Sequence, residues 1–540
     1  MDQLAILAPL LAAGSTTGRI AAAEEALKTF GQSWRDQIGD WVTQLVPVEF
    51  LVPEAARRWR PIVRDIFQFV FSRLSDRRLA TKLVEQYELP AGTPPETRLL
   101  RLISRMPGLQ KLGQVLARNR RLDPSLRTAL SQLENGMRDV TAEEMRAIIV
   151  EQLGERLEAL SVEIAPSILS EASVSAVLRF TWKNPGRERE RGVFKVIKPH
   201  VPECFAEDMT LLQRVGEYLT SADRGYDFAV RDVTDMMAEV RTMLEHELDL
   251  PREQATLTAA LAMYRSSIGI RVPRLIERLS TAQITAMSEE RGVKVTDACR
   301  RSPIRRSRIA SQLIEALVAA PLFSREDPSM FHADPHAGNL LYDEPNRELV
   351  VLDWALAEHL SLELRRHLAM LALMTILRNP DGVGDAVLAL SRGAGARRKR
   401  ERLIRRHVEG LFAGLPKNDS PGILDAMRLL DDIALEGVRF PPALFMFRKV
   451  LFTLDGVLHD IVDADVRVDH VIAREFVTRW LASFGFFHTP LKAADFAAVQ
   501  WNALLYLTPS WMHRSPAPTP SRKPKSPRRG KSLRPALRPQ

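Results

Sequence analysis

The sequence predicts an α+β fold that is mostly helical, with its strands gathered in the middle of the chain. Three observations carry this expectation. Strong helix formers with spaced apolar positions fill the first 150 residues and return after Leu360. Runs of β-branched and aromatic residues bounded by turn formers fall between these helical regions. The chain has 540 residues, 45% of them hydrophobic, which is enough for several domains with sizeable cores.

The N-terminal third opens the series. IAAAEEALKTFGQSWRDQIGDWVTQL reads as helix, and Pro53 to Leu74 continues it with an apolar stripe of Trp59, Ile62, Val63, Ile66 and Val70 beside basic residues. That stripe suits helix-on-helix packing, with a membrane-surface helix as the alternative. AGTPPETRLLRLISRM reads as a turn with Thr93 near a helix start. Further on, ERERGVFKVIKPH gives a short strand, Val193 to Ile197, ended by Pro199. DMMAEVRTMLEHELDLPREQATLTAALAMY is helical except for the interruption at Pro251. VPRLIERLSTAQITAMSEERGVKV reads as two or three short elements, and 302–325 is helical again. LLYDEPNRELVVLDW forms a hairpin, Leu340–Tyr342 and Leu349–Leu352 about a turn at Asp343–Asn346. Long helices run from Leu360 to about Met446 and beyond. One of them contains ARRKRERLIRRH (Ala396–His407), whose seven basic residues and one acid suit a solvated face, with a patch binding anionic lipid or phosphate as the alternative.

Charge and cysteine content exclude several classes. Net charge is +9, and Arg514 to Arg538 contributes nine basic residues and no acid, so the rest of the chain is formally neutral. The basic balance therefore belongs to a Ser- and Pro-rich tail expected to be disordered, and no specific nucleic-acid partner is expected. Cys204 and Cys299 form no CxxC pair, which argues against a zinc ribbon or a disulfide scaffold. No apolar run reaches the roughly 20 residues of a membrane helix. The opening Met-Asp-Gln lacks the basic region of a secretory signal, so a cytoplasmic location is expected.

The densest chemistry lies in FHADPHAGNLLYDEPNRELVVLDWALAE, Phe331 to Glu358. Asp334 and Asn339 flank Pro335 and Gly338, a spacing that suits a loop, and the following hairpin folds back to bring Asp353 near Asn339. Phosphoryl transfer needs such a set. One carboxylate, Asp334, accepts or orients a hydroxyl proton, while an amide oxygen (Asn339) and a second carboxylate (Asp353) hold magnesium against phosphates. Two other readings stay open. Asp and Asn before a hairpin are ordinary turn formers. His332, Asp334, His336 and Asp353 also have the donor chemistry of a transition-metal hydrolase, although Pro335 weakens any single-helix geometry and the two histidines are expected rather to order the loop by hydrogen bonds. A phosphotransfer site also needs a cation upstream. Lys195 sits on the FKVIKP strand for this, with Lys198 as competitor at the strand end, and the next acidic helix offers Glu245, Glu247, Asp249 and Glu253.

ADPHAGN followed by LDW, preceded by FKVIKP and ELDLPREQA, resembles the aarF/UbiB family of atypical protein-kinase-like proteins. KLGQVLARNRRLDP (Lys111–Pro124) is similar to the family's KxGQ motif, and FPPALFMFRKVLFTLDGVL (Phe440–Leu458) to its C-lobe. The resemblance covers about 95–480. It implies a protein-kinase-like two-lobed fold with a helical N-terminal extension, binding ATP and Mg2+. The domains expected are a helical region 1–94, the KxGQ-type extension 95–160, an N-lobe 161–292 with inserted helices, a helical C-lobe 293–480, a helical segment 481–513 and the tail 514–540. By position, Lys195 corresponds to the phosphate-binding lysine and Glu253 to its helix partner. Asp334 corresponds to the catalytic-loop aspartate, and Asn339 and Asp353 to the metal ligands. Ala172 and Ser173 fall in the alanine-rich loop that replaces the glycine-rich one. Lys111 and Gln114 belong to the extension folded across the site, and Glu247 and Asp249 to the ExD motif that meets it.

Several residues depart from the family pattern. Glu171 intrudes into the alanine-rich loop, where it weakens nucleotide binding unless it points away or meets a cation. The metal loop reads Asp353-Trp354-Ala355, with alanine restricting the backbone where glycine would not. Ala337 replaces a common proline, Pro251 enters the expected helix, and Thr256 replaces a common asparagine.

The function implied is ATP hydrolysis or an unusual phosphotransfer in ubiquinone or other prenyl-lipid biology. The partners expected are a nucleotide, an anionic membrane surface at the inner face and an isoprenoid or quinone-like lipid, with protein partners or a homodimer left open. Two alternatives remain at this point: a small-molecule phosphotransferase of the aminoglycoside or choline kinase-like type, which shares the H-x-D-x-x-x-x-N loop, and a non-catalytic pseudokinase adaptor.

Overall fold

A computed structural model describes residues 13–512, with gaps chiefly within 119–138, 184–187, 222–229, 299–302, 393–396, 415–420 and 462–489. The fold is α+β and mostly helical, with a helical N-terminal extension ahead of the strands. The basic tail and Cys299 lie outside the described residues. Contacts divide the chain into two compact units. One comprises 1–321, 328–360 and 443–467; the other comprises 322–327, 361–442 and 468–540.

The first unit begins with the helix Thr16–Leu45, which buries Ala23, Leu27, Trp34, Ile38 and Trp41 along one face against the helices Arg60–Phe71 and Asp76–Glu88. On Arg60–Phe71 the best covered residues are Phe69, Val70 and Phe71, while Ile62, Val63 and Ile66 are half-buried. The helix Pro107–Arg118 packs on His200–Thr220 and Val230–Leu248.

An antiparallel sheet follows in the order β1 (Glu163–Glu171), β2 (Ser175–Lys183), β3 (Arg189–Ile197) and β5 (Ile284–Ser288), the fourth strand in the sequence being the short β4 (Ile270–Arg271). Strand alternation explains its two faces. Leu178, Phe180, Phe194, Val196, Ile284 and Ala286 point into a core closed by Met145, Ile149 and Leu153 of the helix Ala142–Leu153. That helix opens with a capping box at Thr141 and Glu144. Phe180 and Phe194 stack across the sheet with ring centroids 3.9 Å apart. They can do so because Gly192 lies beneath the Phe180 ring, where a Cβ would come within 2.4 Å of it. Gly192→Ala is therefore expected to destabilise the protein by about 1–3 kcal/mol, the usual cost of overpacking a core, read as a lower denaturant midpoint.

A second sheet has the order β4–β9 (Glu348–Val351)–β8 (Leu340–Asp343)–β6 (Val293–Lys294), and β7 (Ser329–His332) pairs with β10 (Ala357–Leu360). The β8–β9 pair is the expected hairpin, in register from Leu340 opposite Val351 to Asp343 opposite Glu348. The interruption at Pro251 is also present. Val230–Leu248 ends, Asp249 accepts the Arg252 N–H as N-cap, and Leu250–Tyr264 begins with proline in its first turn, where its missing N–H costs nothing.

The second unit is helical among its described residues, with Leu362–Ile376, Pro380–Leu390, Arg397–Gly414, Ile423–Leu435 and Ala493–Met512. Its fully buried Arg365 is held by the Ser324 and Glu326 carbonyls at 2.5 and 2.6 Å. On the basic helix, Arg405 pairs with Asp381 and Asp385, and Arg406 with Glu436. No helix among the described residues is long and apolar enough to cross a membrane.

Candidate active site

All site elements lie in the first unit. Lys195 is central on β3, between Val177 of β2 and Thr285 of β5, so the sheet fixes its backbone on both sides. Its Nζ donates to Glu253 Oε1 at 2.8 Å and to Asp353 Oδ1 at 3.1 Å. Glu253 comes from the first turn of the Leu250–Tyr264 helix, which the Asp249 cap orients. The two carboxylates differ in environment. The Glu253 side chain is 3% exposed and that of Asp353 is 44% exposed. Burial pushes the Glu253 carboxyl up, against the pull of Lys195. Desolvation also works against the charged forms of Lys195 and Asp353. The two carboxylates nevertheless hold the Lys195 ammonium above the usual lysine range, and Lys195 with the Ala355 N–H brings Asp353 down to about 2. Solvent screens the Asp353 end, so the stronger electrostatic bond is the buried one to Glu253.

The loop after β7 is built around His332. Its Nδ1 accepts the Asp334 N–H at 3.2 Å, and Nε2 meets the Leu352 and Asp353 carbonyls at 3.0 and 2.9 Å. An imidazole accepting at Nδ1 and donating at Nε2 is the neutral Nε2–H tautomer, assigned from these partners. Both nitrogens are thus committed to backbone, and the transition-metal reading would require breaking these bonds. His336 serves locally, its Nδ1 accepting the Gly338 N–H at 3.0 Å. Among the described residues no cluster of three or more His, Cys, Asp or Glu side chains is arranged for a metal ion.

Asn339 donates from Nδ2 to the Asp334 carbonyl at 3.2 Å, and its own carbonyl accepts the Leu352 N–H at 2.8 Å. The amide oxygen is the end of Asn339 suited to a cation. With the exposed Asp353 carboxylate it makes a small hard-oxygen donor set, which fits magnesium, an ion that keeps several waters. Asp353 itself adopts φ +53, a left-handed conformation that aspartate tolerates better than most residues, and the His332 contact to its carbonyl holds it there. Ala355 is not among the positive-φ residues. The expected penalty for alanine in place of glycine therefore does not arise, because the left-handed turn falls two residues earlier. Trp354 is buried, its ring edge-on to His332 at 4.9 Å, and its carbonyl accepts the Thr256 hydroxyl at 2.7 Å. Thr256 thereby ties the Asp353–Ala355 loop to the helix that carries Glu253.

The remaining residues singled out by the sequence divide into two groups. Lys111 is buried and pairs with Glu247, which also accepts the Ser173 hydroxyl at 3.4 Å. Ala172 closes the β1–β2 turn through its N–H to the Ser175 carbonyl at 2.9 Å. Asp249, by contrast, acts as the helix cap, and the Gln114 side chain lies outside the described residues. Lys198, the competitor of Lys195, is used elsewhere. It is fully buried and pairs with Glu171 at 2.9 Å. Glu171 therefore meets a cation inside the protein. Sequence reasoning missed Asp139 and Gln110, since no spacing rule connects Asp139 to Glu171. The two histidines order the loop by hydrogen bonds, as the sequence suggested.

A strand lysine paired to a helix glutamate and a loop aspartate, followed by Asp–Asn–Asp on strand-linked loops, defines an atypical-kinase-like protein. Residues 132–387 match a family model described as the ABC1 atypical kinase-like domain, and this stretch is similar to that family. Among curated relatives, an uncharacterized Synechocystis protein is 26% identical over 369 residues, covering 66% of this chain and 60% of its own. A probable protein kinase UbiB of Xylella fastidiosa is 26% identical over 302 residues, covering 54% and 53%. The Arabidopsis thaliana chloroplastic protein Activity of bc1 complex kinase 8 is 25% identical over 264 residues, covering 48% and 34%. The matches thus span less than two thirds of these relatives' length. Among solved structures, a Mycobacterium tuberculosis protein in complex with erythromycin is 19% identical with a TM-score of 0.44, covering 67% of this chain and 90% of that one.

Proposed function

We propose that this chain binds Mg-ATP at the Lys195–Glu253–Asp353 cluster and hydrolyses it or transfers its γ-phosphoryl group, in support of ubiquinone or other prenyl-lipid metabolism at a membrane. The observation that carries the reading is Lys195 drawn between a buried and an exposed carboxylate. Glu253 fixes the ammonium, while the Asp353 contact is solvent-facing and can be exchanged for phosphate oxygens and a cation. Magnesium, when bound, neutralises charge on the phosphate oxygens. Asn339 and Asp353 hold it, Asp334 takes the proton of the attacking hydroxyl or water, and the Ala172–Ser173 turn covers the phosphates. Lys111 ties the N-terminal extension, to which Gln114 also belongs, to the site through Glu247, with Asp249 fixing the start of the Glu253 helix. The basic tail, 514–540, adds attraction to anionic lipid that falls with salt.

The test is ATP turnover by the full chain with and without anionic liposomes and a quinone-like phenol. Stimulation by both, with loss of liposome co-sedimentation on deleting 514–540, is expected. Stimulation by a soluble amino alcohol or sugar instead would reverse the assignment in favour of a small-molecule phosphotransferase. Binding without turnover under every condition would make the chain an ATP-gated adaptor.

A further inference from the structure

The β1–β2 turn that faces the phosphates on the reading above is fastened at two neighbouring residues, and both fastenings lead to one helix. On one side Ser173 donates to Glu247, which pairs with Lys111. On the other, Glu171 Oε1 accepts the Asp139 N–H at 2.6 Å and the Lys198 ammonium at 2.9 Å. Lys198 also reaches Asp139 Oδ2 at 3.4 Å, and Gln110 Nε2 donates to the same oxygen at 3.0 Å. Gln110 and Lys111 are adjacent on the Pro107–Arg118 helix. The Lys198 N–H adds a third tie, to the Val174 carbonyl at 2.9 Å.

The Lys198–Glu171 pair is dry, both side chains being 1% exposed. Burial raises the cost of the Asp139 carboxylate, yet Lys198 and the Gln110 amide hold its pKa below the usual range. His200, close by, is pushed by burial down to about 4 and contributes no charge near neutrality. Among the described residues each carboxylate is held through one oxygen, since Asp139 Oδ1 and Glu171 Oε2 are buried with no hydrogen-bond partner there. A partly satisfied buried network opens more readily than a saturated one.

We propose that Glu171 and Lys198 are positioning residues, a latch that holds the 171–174 turn against the Pro107–Arg118 helix so that displacing either displaces the other. Glu171 then does not repel phosphate. It sets where the turn sits when nucleotide arrives, and nucleotide affinity becomes coupled to the seating of that helix. The latch stands on geometry alone, and only its link to nucleotide affinity rests on the function proposed above.

The test compares amide hydrogen exchange in the full chain, without nucleotide, for wild type, Glu171→Gln and the double variant Glu171→Ala/Lys198→Met. Exchange in both 168–178 and 107–118 is expected to accelerate at least tenfold, while 340–351 is unchanged. Glu171→Gln keeps the side-chain volume and serves if the double variant fails to fold. Faster exchange in 168–178 alone would overturn the coupling. Unchanged exchange in 168–178, or an equal rise in 340–351, would overturn the latch. Mg-ATP is then titrated into each protein, and a change in dissociation constant of threefold or more in the latch variants is expected. If even the wild type fails to bind, the nucleotide reading falls and the exchange result still decides the latch.

Discussion

Lys195→Ala combined with Asp353→Asn is expected to weaken Mg-ATP binding by at least ~100-fold, about 2.7 kcal/mol, measured by calorimetry. Lys195 supplies the ammonium that the two carboxylates share, and Asp353 is the solvent-facing carboxylate proposed to hold the cation. Unchanged binding would remove the assigned site. The single Lys195→Ala change carries a second consequence. It leaves the Glu253 carboxylate buried and unpaired, a loss of about 3–5 kcal/mol for a broken buried ion pair. Burial already raises the Glu253 carboxyl, and Lys195 is the group opposing that rise. Without Lys195 the carboxyl titrates higher still. A carboxyl with a folded pKa above its unfolded value adds stability below the unfolded value, and that contribution is lost as pH rises through the folded one. Lys195→Ala should therefore unfold at lower denaturant near pH 8 than near pH 5, and adding Glu253→Gln should abolish that difference. Asp353 has the opposite sign. Its depressed carboxyl contributes fully above about pH 4 and loses that contribution as pH falls toward 2.

Local chemistry made much of this architecture legible in the sequence. Alternation around Lys195 placed it on a strand, turn formers between Tyr342 and Leu349 gave the β8–β9 hairpin, and Pro251 marked the helix break that puts Glu253 in a first turn. Each signal acts over a few residues. The juxtapositions that make the site depend on contacts across the fold, to which periodicity is blind. Lys195 and Asp353 meet over 158 positions, and Lys198 and Asp139 over 59. The same limit explains Lys198. Its place beside Pro199 identified a strand end but gave no hint that the next turn of structure would bury it against Glu171. Ala355 was misjudged for a different reason. Residue type constrains a positive φ only where the backbone adopts one, and the backbone puts it at Asp353.

Asp334→Asn tests the chemical step apart from binding. The loop frame around Asp334 is made by main-chain atoms: its N–H is held by His332 and its carbonyl by Asn339. Replacing one carboxylate oxygen by an amide nitrogen leaves both bonds in place and removes the proton acceptor. Positioned general bases contribute roughly 10²–10⁴-fold. Turnover by Asp334→Asn is therefore expected to fall by about that factor, with Mg-ATP affinity within about threefold of wild type. Equal loss of affinity and rate would assign Asp334 to binding. Undiminished turnover in a preparation that still binds would mean that the proton leaves by another group or that the measured hydrolysis belongs to a contaminant. A His332→Ala variant separates these cases. His332 braces the Asp334 amide and the carbonyls of Leu352 and Asp353 together. Its removal should loosen Asp334 and Asp353 at once, lowering affinity and rate where the turnover belongs to this chain and leaving a contaminant's rate untouched.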